Sequence, residues 1–358
     1  MSVTPSAPAR RARATIRDVA ALAGVGIKTV SRVINNEANV SPQTRDRVER
    51  AITTLNFKPH QGAGALRRGD RKTLTLGLLL DAVDNPFSAS INRAVESVAS
   101  NRHTAVFAAS FDDDPDRERE LVDAFTRRRV DGLILTTITA DHGYLQSERD
   151  QGTPIVFVDR PPVGLAVDAV LSNNHAASYE ATRHLIGNGH RDIAHLGDEL
   201  AISTARERRR GFTDAMVDAG LAEQPSGWHI DDLRSAEEAY AAVHRLLEQT
   251  SPPTALFTSQ NVITIGAVRA LHHLGRQHEV ALIGFDDLTL ADALDPGVTV
   301  MAQDPNRIGT LAAERLFARL DGDRAPADTF VVPGRLIVRG SGEIAPPAED
   351  ERRRRARG

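Results

Sequence analysis

The chain has 358 residues, 41% of them hydrophobic and 26% charged, the balance of a soluble globular protein large enough for two or three cores. No run of 18 apolar residues and no charged-then-apolar leader is present, so a membrane span or export is not expected and the cytoplasm is. Zero cysteines exclude disulfides, thiolate chemistry and Cys-ligated zinc. The net charge of −4 is unevenly spread: residues 1–72 carry 14 Lys+Arg against 5 Asp+Glu, and the remainder 30 against 43. A small basic module therefore precedes a large acidic one, and only the first is an electrostatic footprint for a polyanion.

Residues 1–14 are rich in Pro, Ala, Ser and Arg without apolar periodicity and read as a disordered basic arm. From Thr15 the pattern turns helical. Thr15 is an N-cap with Asp18 three residues on, and Ile16, Val19, Ala20, Leu22 and Ala23 are expected to form an apolar face. Gly24-Val25-Gly26 breaks that helix. A second follows with Val30, Val33 and Ile34 inward and Lys28, Thr29, Ser31 and Arg32 on the other side, ending at Asn35-Asn36. Ser41 caps a third, with Pro42 at its first position and Val48, Ala51, Ile52 and Leu55 buried, and Pro59 closes the module. Two short helices around a Gly-containing turn form the helix-turn-helix pattern, whose second helix can enter a major groove. The competing reading is an ordinary three-helix bundle with a solvated basic face.

After residue 72 short β-rich runs alternate with amphipathic helical stretches. Strands are expected at Leu74–Leu80, Thr104–Ala109, Gly132–Leu135, Ile155–Val158, Ile193–Leu196, Ala255–Phe257 and Ala281–Ile283. This α/β alternation argues for parallel βαβ units in two sheets, with ligand-binding loops at the carboxyl ends of the strands. Residues 343–358 end in an arginine run and read as a disordered tail.

Thr15-Ile-Arg-Asp-Val-Ala-Ala-Leu-Ala-Gly-Val-Gly-Ile-Lys-Thr-Val-Ser-Arg-Val-Ile-Asn35 resembles the lactose-repressor family of bacterial transcription regulators, as do Val40-Ser-Pro-Gln-Thr-Arg45 and Leu55-Asn-Phe-Lys-Pro59. The resemblance extends loosely over residues 15–340. It implies an all-α DNA-binding head (15–59), a hinge helix (60–72) and a two-lobed core with parallel sheets (73–342), built like the periplasmic sugar-binding proteins. It also implies a homodimer, or a tetramer, on a near-palindromic operator, released by a small-molecule effector, with no cofactor and no metal.

Within that frame Ile27, Lys28 and Arg32 stand where family members touch bases. The chemistry agrees, since Lys and Arg donate to guanine O6 and N7 and Ile packs on a thymine methyl, although Ile27 beside a turn could instead belong to the core. Thr15, Thr29, Ser31 and Asn35 suit phosphate oxygens. Leu66 matches the hinge residue that wedges into the minor groove, with Ala63 one turn earlier on the same face. Gly62 and Gly64 depart from the family pattern, and each costs a helix about 1 kcal/mol relative to Ala.

For the effector, Asn85 and Phe87 fall in a strand-to-helix loop used by the family, Phe87 offering a ring to a sugar face. The alternative role for Asn and Asp residues before Pro86 and Pro115 is helix capping, which is favoured at Asp112 and Asp113. Asp159 follows the fourth strand. An Arg two residues before a Gly-aromatic pair reaches the effector in the family, which selects Arg208 over Arg206, Arg209 and Arg210. Asp286 in Gly284-Phe-Asp-Asp287 matches an Asp that accepts hydrogen bonds from the ligand, and an Asp and an Arg across a cleft suit paired sugar hydroxyls. Where the family has Asn-Asp this chain has Gln260-Asn261, which removes a carboxylate and leaves the effector's polarity open. Trp228, the single tryptophan, reads as a partly buried core residue as readily as a site residue.

Motifs of a zincin, an α/β-hydrolase, a P-loop or a dinucleotide fold are absent, so an enzyme is not expected. A sugar-binding transport component and a repressor answering to a purine or a corepressor remain the rival readings.

Overall fold

A computed structural model describes residues 14–34, 37–58 and 73–348, and the chain divides into two compact units at Thr73/Leu74. Pro59, the hinge 60–72 with Ala63 and Leu66, Asn35, and residues 1–13 and 349–358 lie outside the described residues.

Among the described residues the first unit has three helices, α1 (Ile16–Ala23), α2 (Ile27–Ile34) and α3 (Pro42–Leu55). Thr15 closes a reciprocal capping box with Asp18, Gly24 ends α1 in the left-handed conformation at φ 63°, and Ser41 caps α3 ahead of Pro42. Val19, Ala20, Ala23, Val30, Val33, Val48 and Ala51 form its core. Leu22 is not part of it: it is 54% exposed, because at 100° per residue it sits about 60° beyond Val19, on the side away from Ala20 and Ala23.

The second unit follows as β1 (Thr75–Leu80), α4 (Pro86–Asn101), β2 (Ala105–Ser110), α5 (Pro115–Arg127), β3 (Gly132–Leu135), α6 (Gln146–Asp150), β4 (Ile155–Val158), β5 (Asp168–Ser172), α7 (Asn174–Gly187) and β6 (Ile193–Leu196). It continues as α8 (Ser203–Asp218), β7 (His229–Ile230), α9 (Ala236–Leu247), β8 (Ala255–Thr258), α10 (Asn261–His273), β9 (Ala281–Phe285), β10 (Thr299–Ala302), α11 (Pro305–Leu320), β11 (Thr329–Val332) and β12 (Arg335–Ile337). Two six-stranded sheets result, ordered β11-β5-β4-β3-β1-β2 and β12-β10-β9-β8-β6-β7. Every pairing is parallel except β10 with β12.

All seven expected strands are present, and β5, β7, β10, β11 and β12 are additional. The chain changes lobe after β5, after β10 and after β11, so α11 returns to the first lobe. There Ile308, Ala312 and Leu316 pack with Ile91 and Val95 of α4. Each sheet has an apolar cluster on both faces, the covering expected of parallel sheets.

The tail boundary expected at 343 needs correction. Glu343 accepts from Thr299 Oγ1 at 2.8 Å and is bonded to His184, the Ile344 carbonyl lies 2.7 Å from His190 Nε2, and Ile344 packs on the second-lobe core. The sequence hides this because the contacts are formed with residues 44 to 159 positions earlier. Trp228 is a core residue, 4% exposed, with its indole N–H donating to Gln249.

Candidate functional site

In the head, the polar residues of α2 lie opposite its buried Val30 and Val33. Lys28 and Arg32 are exposed, and Ile27 is 42% exposed and so is not a core residue. Arg32 meets Glu37 at 3.7 Å, an exposed pair too weak to tie up the guanidinium. Thr29 and Ser31 are half-buried on the flanks of this face. Thr15 stands at the start of α1, with its hydroxyl and backbone N–H both donating to Asp18 at 2.7 Å.

In the core, all six residues singled out for an effector line one cavity of about 50 Å³ between the lobes: Asn85, Phe87, Asp159, Arg208, Gln260 and Asp286. The strand ends explain why they meet. Asp81 follows β1, Thr136 follows β3, Asp159 and Arg160 follow β4, Asp198 lies just past β6, Gln260 just past β8, Asp286 follows β9 and Gln303 follows β10. Asp159 and Asp286 occupy equivalent places in the two lobes. Each turns out of its strand at positive φ (67° and 68°), a conformation Asp tolerates better than most residues, and each donates its N–H to the next strand, at Val170 and Met301.

Asp286 accepts from Gln303 Nε2 at 2.7 Å. Burial pushes its carboxyl up, against the pull of Arg208 and of the Gln303 hydrogen bond. Arg208 lies 6% exposed on α8 with its guanidinium 4.0 Å over the Phe285 ring, donating to Asn174 Oδ1 at 2.7 Å and to the Ser259 carbonyl at 2.9 Å. Its reach depends on Gly211, where a Cβ would run into the carbonyl of His175 and hold α8 away from α7. The neighbouring arginines point elsewhere: Arg206 to the carbonyls of Leu200 and Ala201, Arg209 toward His195, and Arg210 into solvent.

In the first lobe Arg160 is shared by three carboxylates, Asp81 at 3.5 Å, Asp113 at 3.7 Å and Asp159 at 3.8 Å. Burial raises Asp81 to about 6 despite Arg160, and burial raises Asp198 as well. Asn85 caps α4, accepting from Phe87 N at 3.0 Å, so the capping reading is correct for it and does not exclude the other. The same oxygen accepts from Asn261 Nδ2 at 2.9 Å, and Asn85 Nδ2 returns a longer bond of 3.4 Å, which joins the lobes. Asp112 and Asp113 precede the true cap of α5, which is Asp114.

Asp159 Oδ1, Gln303 Oε1 and Arg160 Nε are buried with no hydrogen-bond partner among the described residues. Such groups are costly unless something satisfies them, so two acceptors and a donor are left for a ligand. Asp81, Thr136, Arg160, Asp198 and Gln303 were not singled out from the sequence. Each stands at a strand end, which is the signal that could have found them, but Gln303 follows a strand that composition did not reveal. Among the described residues no cluster of side chains could hold a metal ion, and no helix is long and apolar enough to cross a membrane.

Residues 15–60 match the family described as bacterial regulatory proteins, lacI family, and residues 73–338 match periplasmic binding proteins and sugar binding domain of LacI family. A curated relative, the HTH-type transcriptional repressor PurR of Mannheimia succiniciproducens, is 31% identical over 335 residues, covering 92% of this chain and 98% of its own. A transcriptional regulator CelR–cellobiose complex is 30% identical with a TM-score of 0.67, covering 92% of this chain and 100% of that one. The lac repressor dimer bound to operator and the anti-inducer ONPF shares the fold, with a TM-score of 0.81 at 24% identity over 93% of this chain and all of that one. Head, lobed core and match along nearly the whole length agree: the chain belongs to the LacI family of bacterial regulatory proteins and is a DNA-binding transcriptional repressor rather than an enzyme.

Proposed function

We propose that the protein binds a near-palindromic operator as a homodimer in the cytoplasm and is released by a sugar-class effector held between its lobes. Helix α2 lies in the major groove, with Lys28 and Arg32 donating to guanine edges and Ile27 against a thymine methyl. Thr15, Thr29, Ser31 and Asn35 hold phosphates, and Ala63 and Leu66 engage the minor groove at the operator centre. Asn85, Phe87, Asp159, Arg208, Gln260 and Asp286 hold the effector.

The observation that carries this reading is the convergence of those six residues on one cavity in which Asp159 Oδ1, Gln303 Oε1 and Arg160 Nε lack hydrogen-bond partners. Paired acceptors and donors with one ring face, Phe87, suit a polyhydroxylated ring. A purine reading would want apolar walls on both faces of a flat base, and the lining offers one ring, Phe87, and one small apolar residue, Ala205. A thermal-shift screen of carbohydrates, sugar phosphates and nucleobases, followed by operator release, tests it. Stabilisation and release by a carbohydrate are expected, and stabilisation by a nucleobase alone would replace the sugar reading.

A further inference from the structure

The cavity has a charge balance that its fold alone does not dictate. Four carboxylates line it, Asp81, Asp159, Asp198 and Asp286, against two guanidiniums, Arg160 and Arg208. Arg160 is surrounded by Asp81, Asp113 and Asp159, whereas Arg208 donates from Nε to Asn174 and from Nη1 to the Ser259 carbonyl, has Nη2 left for a ligand, and has its charge offset by Asp198 and Asp286. Burial already lifts Asp81, Asp198 and Asp286 above the usual carboxylate range, because these carboxylates are short of solvation. A phosphate or carboxylate brought among them would add its charge to a lining that already holds four carboxylates against two guanidiniums. A hydroxyl can donate to Asp159 Oδ1 or Gln303 Oε1 and accept from Arg160 Nε, the three atoms of the lining without hydrogen-bond partners.

The cavity is also walled on one side. Asn85 and Asn261 line both the inner cavity and an adjoining groove bordered by Pro86, Val262, Ile265 and Leu288, so their paired amides stand between the two spaces. A second sugar ring leaving the cavity on that side would have to break both bonds.

We propose that the effector is an uncharged polyol of single-ring size, and that the cleft rejects phosphorylated and carboxylated sugars and disaccharides. This rests on the sugar reading of the cleft and narrows it.

Calorimetric titration of the full-length protein tests it with uncharged pentoses, hexoses and their alditols, with ribose 5-phosphate, glucose 6-phosphate and gluconate, and with cellobiose and hypoxanthine. At least one uncharged monosaccharide or alditol is expected to bind, with any charged derivative of it at least 100-fold weaker and cellobiose silent. Asp81→Asn, which removes one of the crowding charges at constant shape, is expected to narrow the gap between that sugar and its phosphate at least threefold. Tighter binding of a phosphate, of gluconate or of cellobiose than of every uncharged monosaccharide and alditol overturns the inference while leaving the sugar reading intact. Binding of hypoxanthine alone removes that reading too, and binding of none of the panel overturns the inference. An unchanged gap in Asp81→Asn overturns the electrostatic basis of the rejection.

Discussion

Asp286 is the residue on which the cleft's chemistry turns, since it is buried, hydrogen-bonded to Gln303 and set against Arg208. Asp286→Ala is expected to keep operator affinity within about twofold and to abolish release by the effector; a variant that is still released normally would misplace the pocket. Asp81 makes a different prediction. Its carboxyl titrates near 6 in the folded protein against 3.8 ordinarily, so the folded state keeps a proton that the unfolded chain loses. The sign follows from that: the stability associated with this proton is fully present below about pH 4 and is lost as pH rises through 6. Asp81→Asn is therefore expected to raise the melting temperature of the unliganded protein at pH 7.5 and to make no difference at pH 4. The gain is on the order of 1 kcal/mol, because Arg160 loses a partner in the variant. Melting curves at the two pH values check it, and equal effects at both would contradict it.

Two helices carry the proposed function through what they expose and what they allow. On α2, Val30 and Val33 anchor the helix while Ile27, Lys28 and Arg32 remain open, so Lys28→Ala and Arg32→Ala should each cost about 1–3 kcal/mol of operator binding and relax base preference without changing effector binding. Binding to a mutated-operator series distinguishes this from a uniform loss, which would make these residues phosphate contacts. On α8, Gly211→Ala should push the helix from α7, cost about 1–3 kcal/mol of stability and weaken effector binding by withdrawing Arg208, as calorimetry and melting would show. The same elements show where sequence reasoning succeeds. Strands β1, β3, β4, β6, β8 and β9 are apolar runs buried throughout or nearly so, a signal local to each run. β7 has two residues, β5 opens on Asp168, and β11 and β12 are partly exposed, so composition says little about them. With β10 unseen, Gln303 had no strand end to mark it. Leu22 shows the opposite case: an apolar residue at roughly helical spacing looks like part of the buried stripe, yet the helical turn carries it past Val19 into solvent.

At the scale of the molecule, the two sheets share one strand order and meet at their carboxyl ends, which is how Asp159 and Asp286 come to face one cavity from separate lobes. The sequence implied this architecture through the resemblance, but the three chain crossings that build it are non-local and left no periodic trace. The proposed switch is a linkage between head and cleft, and coupling free energy is reciprocal: operator DNA must weaken effector binding by the same factor by which effector weakens operator binding. Calorimetry with and without a saturating duplex measures one arm and a DNA titration the other, and unequal factors would contradict a single linked equilibrium. The most direct measurement of the whole account is selection of bound duplexes from a random pool by the full-length protein at moderate salt, followed by titration of the enriched duplex. The account predicts a near-palindromic duplex bound at least 100-fold more tightly than random sequence, with the preference lost in the Lys28→Ala/Arg32→Ala double variant. Equal affinity for enriched and random duplexes, with the uncharged sugar panel absent or supplied, would contradict it.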